Sequence, residues 1–195
     1  MNTLQEKTKQ LRSVKKEVVN CRKCSLCKTR ILPVIGQGSH QATAIFIGEA
    51  PGANEDKTGI PFCGSSGNIL TELLASIGCQ RDDVYIANIL KCRPPANRDP
   101  LPNEIEACTG YLEKQIEIIK PKLICSMGNY AAAFVLRKFG LGDKVQGISR
   151  IHGQVFEADN FKIVALYHPA VAVYNANMKE ILKKDLENVK DLICR

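Results

Sequence analysis

Apolar and polar positions along the chain predict short buried strands that alternate with amphipathic helices. Four apolar runs are typical of buried strands: Ala44–Ile47, Val84–Ala87, Leu123–Ser126 and Ile163–Leu166. Apolar positions at helical spacing predict helices over residues 3–20, 67–77, 103–120, 129–139 and 178–194. This alternation favours a parallel sheet with right-handed crossovers and helices on both faces.

We therefore expect an α/β protein. The predicted fold is a three-layer α/β/α sandwich with a central four-stranded parallel sheet. A chain of 195 residues is long enough for one full hydrophobic core. Because no repeat, low-complexity tract or linker divides the sequence, we expect residues 1–195 to form a single domain. Residues 1–30 would contribute its N-terminal helix and a first pair of cysteines.

The predicted strand order also predicts where a ligand binds. In open parallel sheets, ligands bind outside the carboxyl ends of the strands. The residues that follow the four runs are Glu49-Ala50-Pro51, Asn88, Met127-Gly128-Asn129 and His168-Pro169-Ala170. The first run continues into an irregular loop, residues 48–67, with five glycines, three carboxylates and one phenylalanine. A long loop of this kind at a strand end is a typical place for a site.

Composition narrows the class of protein only slightly. A hydrophobic content of 45% and a charged content of 24% are ordinary for a soluble domain. No apolar run approaches the roughly 20 residues that span a bilayer, and residues 1–20 lack the apolar core of a signal peptide. We therefore expect a cytoplasmic protein without a membrane partner. The net charge of +7 fits either a solvated surface or a polyanionic partner.

Nine cysteines are unusual in such a chain, and an odd number cannot all pair within one molecule. Cys21 and Cys24 form a C-x2-C pair with Cys27 close behind, and Cys92 and Cys108 lie further along. Metal binding explains these cysteines better than disulfides in a reducing compartment. Their spacing leaves three interpretations open: an iron–sulfur cluster, a zinc site or unligated thiols.

Four separated motifs carry a resemblance to a known family. They are Gly48-Glu-Ala-Pro-Gly52 with Glu55-Asp56, then Gly59-x-Pro-Phe62-x-Gly64-x-x-Gly67, then Asn88-Ile-Leu-Lys-Cys-Arg-Pro-Pro-x-Asn97-Arg98 with Cys108, and His168-Pro-Ala170. In this order they resemble the family 4 uracil-DNA glycosylases, the iron–sulfur type of archaea and thermophilic bacteria. The similarity runs from about Cys21 to the C-terminal helix.

The resemblance implies a monofunctional enzyme that flips uracil out of DNA and hydrolyses its N-glycosidic bond, which starts base excision repair. It also implies a [4Fe-4S] cluster, with a structural role, on Cys21, Cys24, Cys92 and Cys108. Cys27 and Cys63 have no counterpart in the family pattern.

The resemblance further implies a pocket formed by Gly48, Glu49, Ala50, Phe62, Asn88 and His168. Phe62 would stack on the base, and Asn88 would read N3–H and O4 of uracil with one acceptor and one donor. His168 would donate to O2 and stabilise negative charge on the departing base. Ala50 stands where family 1 enzymes have an aspartate, so Glu49 is the nearest candidate to act on the attacking water.

For DNA binding we expect backbone amides near Ser65 and Ser66, where a helix begins, to hold phosphate. Arg93 and Arg98 are further candidates, together with Lys91. Family members often place leucine and arginine after the His-Pro-Ala motif, but this chain has Val171-Ala-Val-Tyr174. The identity of the residue that fills the gap left by the flipped base is therefore open.

Competing interpretations remain. One is an iron–sulfur DNA-binding or redox-sensing module without excision activity, and another is a zinc enzyme of a different class. A related glycosylase branch bonds covalently to the uracil site through a histidine in the second loop, but residues 91–100 contain no histidine. We expect uracil-containing DNA, single- or double-stranded, as the partner, a sliding clamp as a candidate protein partner, and a monomer.

Overall fold

A computed structural model describes residues 3–193. Within them, six strands form one sheet. The strands are β1 (Gln37–Gly38), β2 (Ala44–Gly48), β3 (Tyr85–Asn88), β4 (Leu123–Met127), β5 (Val155–Glu157) and β6 (Lys162–Leu166). Their spatial order is β1-β3-β2-β4-β6-β5; the central four are parallel, and β1 and β5 pair antiparallel at the two edges.

The α/β class is confirmed, but the prediction of a four-stranded sheet is wrong in number because it omitted both edge strands. β1 has only two residues, one of them a glycine, so it carries no periodic signal. β5 has three residues, and both its ends are exposed, so no buried apolar run marks it. The four predicted strands correspond to β2, β3, β4 and β6 within one residue at each end.

Both faces of the sheet are buried, which explains why the central strands are continuously apolar. Along β2, Ile45 and Ile47 point into one hydrophobic cluster, while Ala44 and Phe46 point into the other. This alternation is the period of two that a pleated strand imposes on its side chains. The sheet is therefore a rigid platform whose strand ends are held in fixed register.

Helices cover the two faces of the sheet. They are α1 (Leu4–Val19), α2 (Ala53–Thr58), α3 (Ser65–Ser76), α4 (Pro102–Ile119), α5 (Asn129–Lys138), α6 (Ile148–Ile151), α7 (Ala170–Tyr174), α8 (Asn177–Glu187) and α9 (Lys190–Ile193). A capping box between Thr3 and Glu6 fixes the start of α1, which packs against α4.

The helix predicted over residues 178–194 is divided in the structure into α8 and α9. The amide of Asn188 bonds back to Lys184 and the amide of Val189 to Leu186, so the chain tightens at the end of α8 before it resumes. Residue 194 lies outside the described residues. Among residues 3–193, no helix is long and apolar enough to cross a membrane.

Candidate active site

The carboxyl ends of the parallel strands bring the predicted pocket residues to one rim. Gly48 ends β2 and Asn88 ends β3, and the two residues are direct partners in the sheet register. His168 follows β6 by two residues and approaches the end of β4, where a methyl group built on Gly128 would lie 3.3 Å from Cβ of His168. The topology therefore places Gly48, Asn88 and His168 together although they are far apart in the sequence.

Gly48 leaves the space in which two pocket side chains meet. A methyl group built on Gly48 would lie 2.4 Å from Oδ1 of Asn88 and 2.7 Å from Cζ of Phe62. Real Cβ atoms essentially never approach other atoms so closely. Only glycine at this position lets the ring of Phe62 and the amide of Asn88 converge.

The backbone of Phe62 is held in an unusual conformation. Its φ is 51°, in the left-handed region, which costs a residue with a side chain about 1 kcal/mol or more. A methyl group built on Gly67 would lie only 1.7 Å from the carbonyl oxygen of Phe62, so the first turn of α3 lies directly against this residue. Oε1 of Glu55 accepts from the amides of Cys63 (3.1 Å) and Gly64 (3.3 Å). These contacts fix the loop around Phe62.

Phe62 is 7% exposed, so it lies largely in the protein interior. It contacts the hydrophobic cluster on the α3 side of the sheet. Its ring lies beside the imidazole of His168, with the ring centroids 5.6 Å apart and an angle of 31° between the planes. Phe62 is therefore both a core residue and one wall of the rim pocket.

Asn88 carries an unsatisfied acceptor. Its side chain is 2% exposed, and Oδ1 is the one buried side-chain polar atom among residues 3–193 that has no hydrogen-bond partner. Leaving such an atom unpaired costs about 1–3 kcal/mol. Buried polar groups without a partner are rare, so this oxygen is suited to accept from an N–H group of a ligand.

The proton of His168 has a defined position. The amide of Ala170 donates to Nδ1 of His168 at 3.2 Å, so Nδ1 is an acceptor and a neutral imidazole carries its proton on Nε2. Burial lowers the pKa of His168, although the nearby charge of Glu55 opposes the shift. His168 is consequently a neutral N–H donor.

The three carboxylates of residues 48–67 have different environments. Glu55 holds the loop amides, and the buried Asp56 accepts from the amide of Ile31 at 3.0 Å. Within residues 3–193 the carboxylate of Glu49 makes no hydrogen bond or ion pair. Burial, with the charge of Asp99, raises the pKa of Glu49. Glu49 is thus the carboxylate of this loop that is free to act on a ligand.

Five cysteines line one enclosed cavity beside the rim: Cys21, Cys24, Cys27, Cys92 and Cys108. The partly buried Ala50 packs against the same cluster of side chains, so the cavity adjoins the first rim loop. In the part of the chain described, no three His, Cys, Asp or Glu side chains are arranged to hold a single metal ion. The thiols therefore surround the cavity without converging on one point.

Hydrogen-bond donors are directed at two of the sulfur atoms of this cavity. Nη1 of Arg30 donates to Sγ of Cys92 at 3.1 Å, and the amide of Lys91 donates to Sγ of Cys108 at 3.2 Å. Burial raises the pKa of Cys92, and it raises the pKa of Cys108 to about 11. Both therefore remain thiols unless a metal replaces the proton, while the donors are already placed to stabilise negative sulfur.

Three further cysteines among residues 3–193 lie away from this cavity. Cys63 is in the Phe62 loop, where its sulfur contacts the hydroxyl of Thr58 at 3.2 Å. Cys125 is a fully buried thiol in β4, as expected for a small hydrophobic residue. Cys79 is disulfide-bonded, which the sequence did not indicate.

The residues predicted to contact DNA differ in their availability. Ser65 and Ser66 form the first turn of the 12-residue helix α3, with Ser65 exposed. Nε of Arg93 donates to Oδ1 of Asn97 at 2.7 Å. The guanidinium of Arg98 makes a two-pronged pair with Glu104, at 2.6 and 2.9 Å, so it is already engaged within the protein.

The expectation that Lys91 contacts DNA is wrong. Its side chain is fully buried, so it cannot reach phosphate. Nζ donates to the main-chain oxygen of Asn88 at 2.8 Å and to Oε1 of Gln115 at 2.7 Å. Burial lowers the pKa of Lys91 to about 8. A lysine just past a strand end resembles a surface residue in sequence, and only the packing of α4 over it shows otherwise.

The fold, with Phe62, Asn88 and His168 together at the strand ends, can be compared directly with known proteins. The family model described as the uracil DNA glycosylase superfamily matches residues 35–190. The type-4 uracil-DNA glycosylase of Archaeoglobus fulgidus is 45% identical over 186 residues, covering 93% of this chain and 92% of that protein.

Two further relatives agree with this match. The type-4 uracil-DNA glycosylase of Sulfurisphaera tokodaii is 42% identical over 187 residues, covering 93% of this chain and 84% of the relative. That of Thermotoga maritima is 40% identical over 183 residues, covering 92% and 93%. The chain belongs to the type-4 uracil-DNA glycosylases, which confirms the resemblance carried by the four motifs.

Proposed function

We propose that this chain is a monofunctional uracil-DNA glycosylase, which removes uracil from DNA and so starts base excision repair. The observation that carries the proposal is the buried, unpartnered Oδ1 of Asn88, next to the ring of Phe62 at the rim that also holds His168. Residues 1–195 act as one glycosylase-like domain in this proposal. Because the chain itself supplies every pocket residue, one copy is sufficient.

Asn88 reads the base. Its Oδ1 accepts from N3–H of uracil and its amide nitrogen donates to O4, while Phe62 stacks on the ring. Cytosine presents an acceptor at N3 and a donor at N4, so it would leave both groups of Asn88 unpaired. Discrimination of this kind costs the wrong base kilocalories rather than tenths of a kilocalorie.

His168 stabilises the leaving group. Its Nε2–H donates to O2 of uracil, and this hydrogen bond strengthens as the C1′–N1 bond breaks and its electron pair moves onto the base. The oxygen of a water molecule then bonds to C1′, and the proton that this water loses neutralises the uracil anion. The carboxylate of Glu49 orients this water and stabilises the positive charge of the oxocarbenium-like sugar. The backbone of Gly48 and Ala50 completes the pocket wall on either side of Glu49.

Phosphate binding at the first turn of α3 fits this chemistry, because free amides at a helix start attract anions. We assign the amides of Ser65 and Ser66 to this role, with Arg93 as a further cation. Arg98 pairs with Glu104 and also faces the DNA. Residues 3–30 contain nine lysine and arginine and two glutamate side chains, and thus account for the whole net charge of +7. This segment gives DNA a second, nonspecific region of attraction.

Tyr174 is our candidate for the residue that fills the gap left by the flipped base. It is 90% exposed at the end of α7, six residues after His168, and Val173 beside it is 40% exposed. An exposed aromatic side chain close to the pocket can stack between base pairs. It would replace the leucine or arginine of other family members.

The cysteine-lined cavity fits a [4Fe-4S] cluster held by Cys21, Cys24, Cys92 and Cys108. Four thiols around a shared cavity, with N–H donors already directed at two of them, match the donor set that such clusters require. A bound cluster would cross-link the loop after α1, the segment after β3 and α4, from which these four cysteines come. Its role would be structural. Cys27 lines the same cavity, so ligand exchange with Cys24 is tested below.

The proposal is tested with uracil-containing oligonucleotides, single- and double-stranded, followed by alkaline cleavage of the abasic product. We expect cleavage of both strand forms by the wild-type protein. Asn88→Asp should lower uracil excision and admit cytosine, because a carboxyl group in its neutral form can donate to N3 of cytosine. Absence of cleavage by protein with an intact cluster would instead support an iron–sulfur DNA-binding module. A sliding-clamp partner stays a prediction.

A further inference from the structure

Lys91 forms a buried polar connection directly beneath the proposed base reader. Its side chain is fully buried, and Nζ donates to the main-chain oxygen of Asn88 at 2.8 Å. Asn88 is the last residue of β3, and beyond it the amides of Ile89 and Leu90 still donate to the main-chain oxygens of Gly48 and Glu49 at 3.0 Å. The ammonium group therefore anchors the carbonyl of the residue whose side chain faces the pocket.

A second residue fixes Lys91 in turn. Oε1 of Gln115, in α4, accepts from Nζ at 2.7 Å. Nε2 of Gln115 donates to the hydroxyl of Tyr85 at 3.0 Å and to the main-chain oxygen of Ile35 at 2.8 Å. Gln115 is itself 0% exposed, so each polar atom of its amide is satisfied inside the protein. The network connects α4 to both ends of β3.

Such an arrangement is costly to maintain. Burying a lysine amine and a glutamine amide is favourable only when the hydrogen bonds are complete, and an apolar pair of similar volume would fill the same space without this demand. A hydrogen-bonded buried network holds its members in one arrangement. Because the network lies under Asn88, Asn88 is the residue that it holds in place.

We propose that Lys91 is a positioning residue that fixes the backbone, and hence the side-chain amide, of Asn88 for base recognition. This inference rests on the proposed uracil excision. The main chain of Lys91 faces the other way, since its amide donates to Sγ of Cys108 and its oxygen accepts from the amide of Val34 at 2.8 Å. The side chain and main chain of one residue thus serve the two sites separately.

The test is a double-mutant cycle of Lys91→Met with Asn88→Ala. Lys91→Met removes the amine but keeps a flexible apolar chain and the main-chain contacts. We expect it to lower single-turnover uracil excision by about 10- to 100-fold, the usual effect of a small displacement in a site. It should also raise the inhibition constant for free uracil. In the Asn88→Ala background the same change should cost less than about threefold.

Two controls separate positioning from general damage. Leu112→Ala creates a buried defect in the same helix as Gln115 and removes no hydrogen bond of the network, so it should lower the melting temperature with little effect on the uracil inhibition constant. Visible absorbance reports whether the cluster persists in Lys91→Met. We expect it to persist, because the main-chain amide of residue 91 still donates to Sγ of Cys108. If Lys91→Met does not fold, Gln115→Met removes one partner of Nζ and should show the same dependence on Asn88.

Equal losses in the two backgrounds, or an unchanged uracil inhibition constant in Lys91→Met, would overturn the positioning role. An inactive wild-type protein would instead refute the proposed excision itself. The two failures are therefore distinguished by the wild-type rate measured in the same assay.

Discussion

Replacing Gly48 by alanine should damage catalysis far more than stability. The new methyl group would lie 2.4 Å from Oδ1 of Asn88 and 2.7 Å from Cζ of Phe62, whereas ordinary contacts begin at 3.4 Å. The reader and the stacking ring must therefore each retreat by roughly 1 Å, and displacements of that size cost about 100-fold in rate. The accompanying overpacking should cost about 1–3 kcal/mol of folding stability.

The assay is single-turnover excision from a uracil-containing single strand, measured beside thermal unfolding. Gly110→Ala is the matched control, because a methyl group there meets nothing within 4 Å and the residue lies inside α4. It should leave the rate unchanged and stabilise the fold slightly. If Gly48→Ala excised uracil at the wild-type rate, the convergence of Asn88 and Phe62 over this glycine would be refuted as the basis of the pocket.

Three further predictions concern the carboxylate, the cysteines and the exposed tyrosine. Burial and the charge of Asp99 raise the pKa of Glu49, so its carboxylate is protonated at a higher pH than that of an exposed glutamate. As the pH falls, excision that needs this carboxylate should therefore decline earlier. Glu49→Gln should be slower, and its pH–rate profile should lack this acid limb. Cys24→Ala should abolish the visible absorbance of the purified protein and lower its melting temperature, whereas Cys27→Ala should retain both; the reverse result would assign the ligand to Cys27. Tyr174→Ala should slow excision from duplex DNA by about 5-fold or more, consistent with the stacking energy of one aromatic, and leave single strands unaffected; equal slowing on both would argue against gap filling.

The sequence predicted the rim because its signals are local. Short apolar runs mark buried parallel strands, and strand polarity alone brings Asn88 and His168 to one edge. The roles of Lys91 and Arg98 could not be predicted in this way. Charged residues in a loop resemble phosphate contacts. Only the tertiary approach of Gln115 shows that the charge of Lys91 faces inward, and only that of Glu104 shows that the guanidinium of Arg98 is already paired.

The burial of Phe62 could not be predicted from the sequence either. Its glycine-rich neighbours are not typical of a core segment, yet its backbone is left-handed, Gly67 lies close against it, and its ring is buried. Conformations with positive φ at a residue other than glycine have no clear sequence signal. The edge strands were missed for a related reason, since two or three residues are too few to show a period.

Asn88, at the end of β3, is followed by Lys91 and Cys92 within five consecutive residues. An insertion or deletion among these residues would move the base reader and a cysteine of the cavity at once. Within the loop that follows β3, length variation among relatives should therefore occur only after Cys92. For protein engineering, a uracil pocket copied from this chain onto another parallel-sheet scaffold would have to include the cysteine-lined cavity. The two sites are transferable only as one unit.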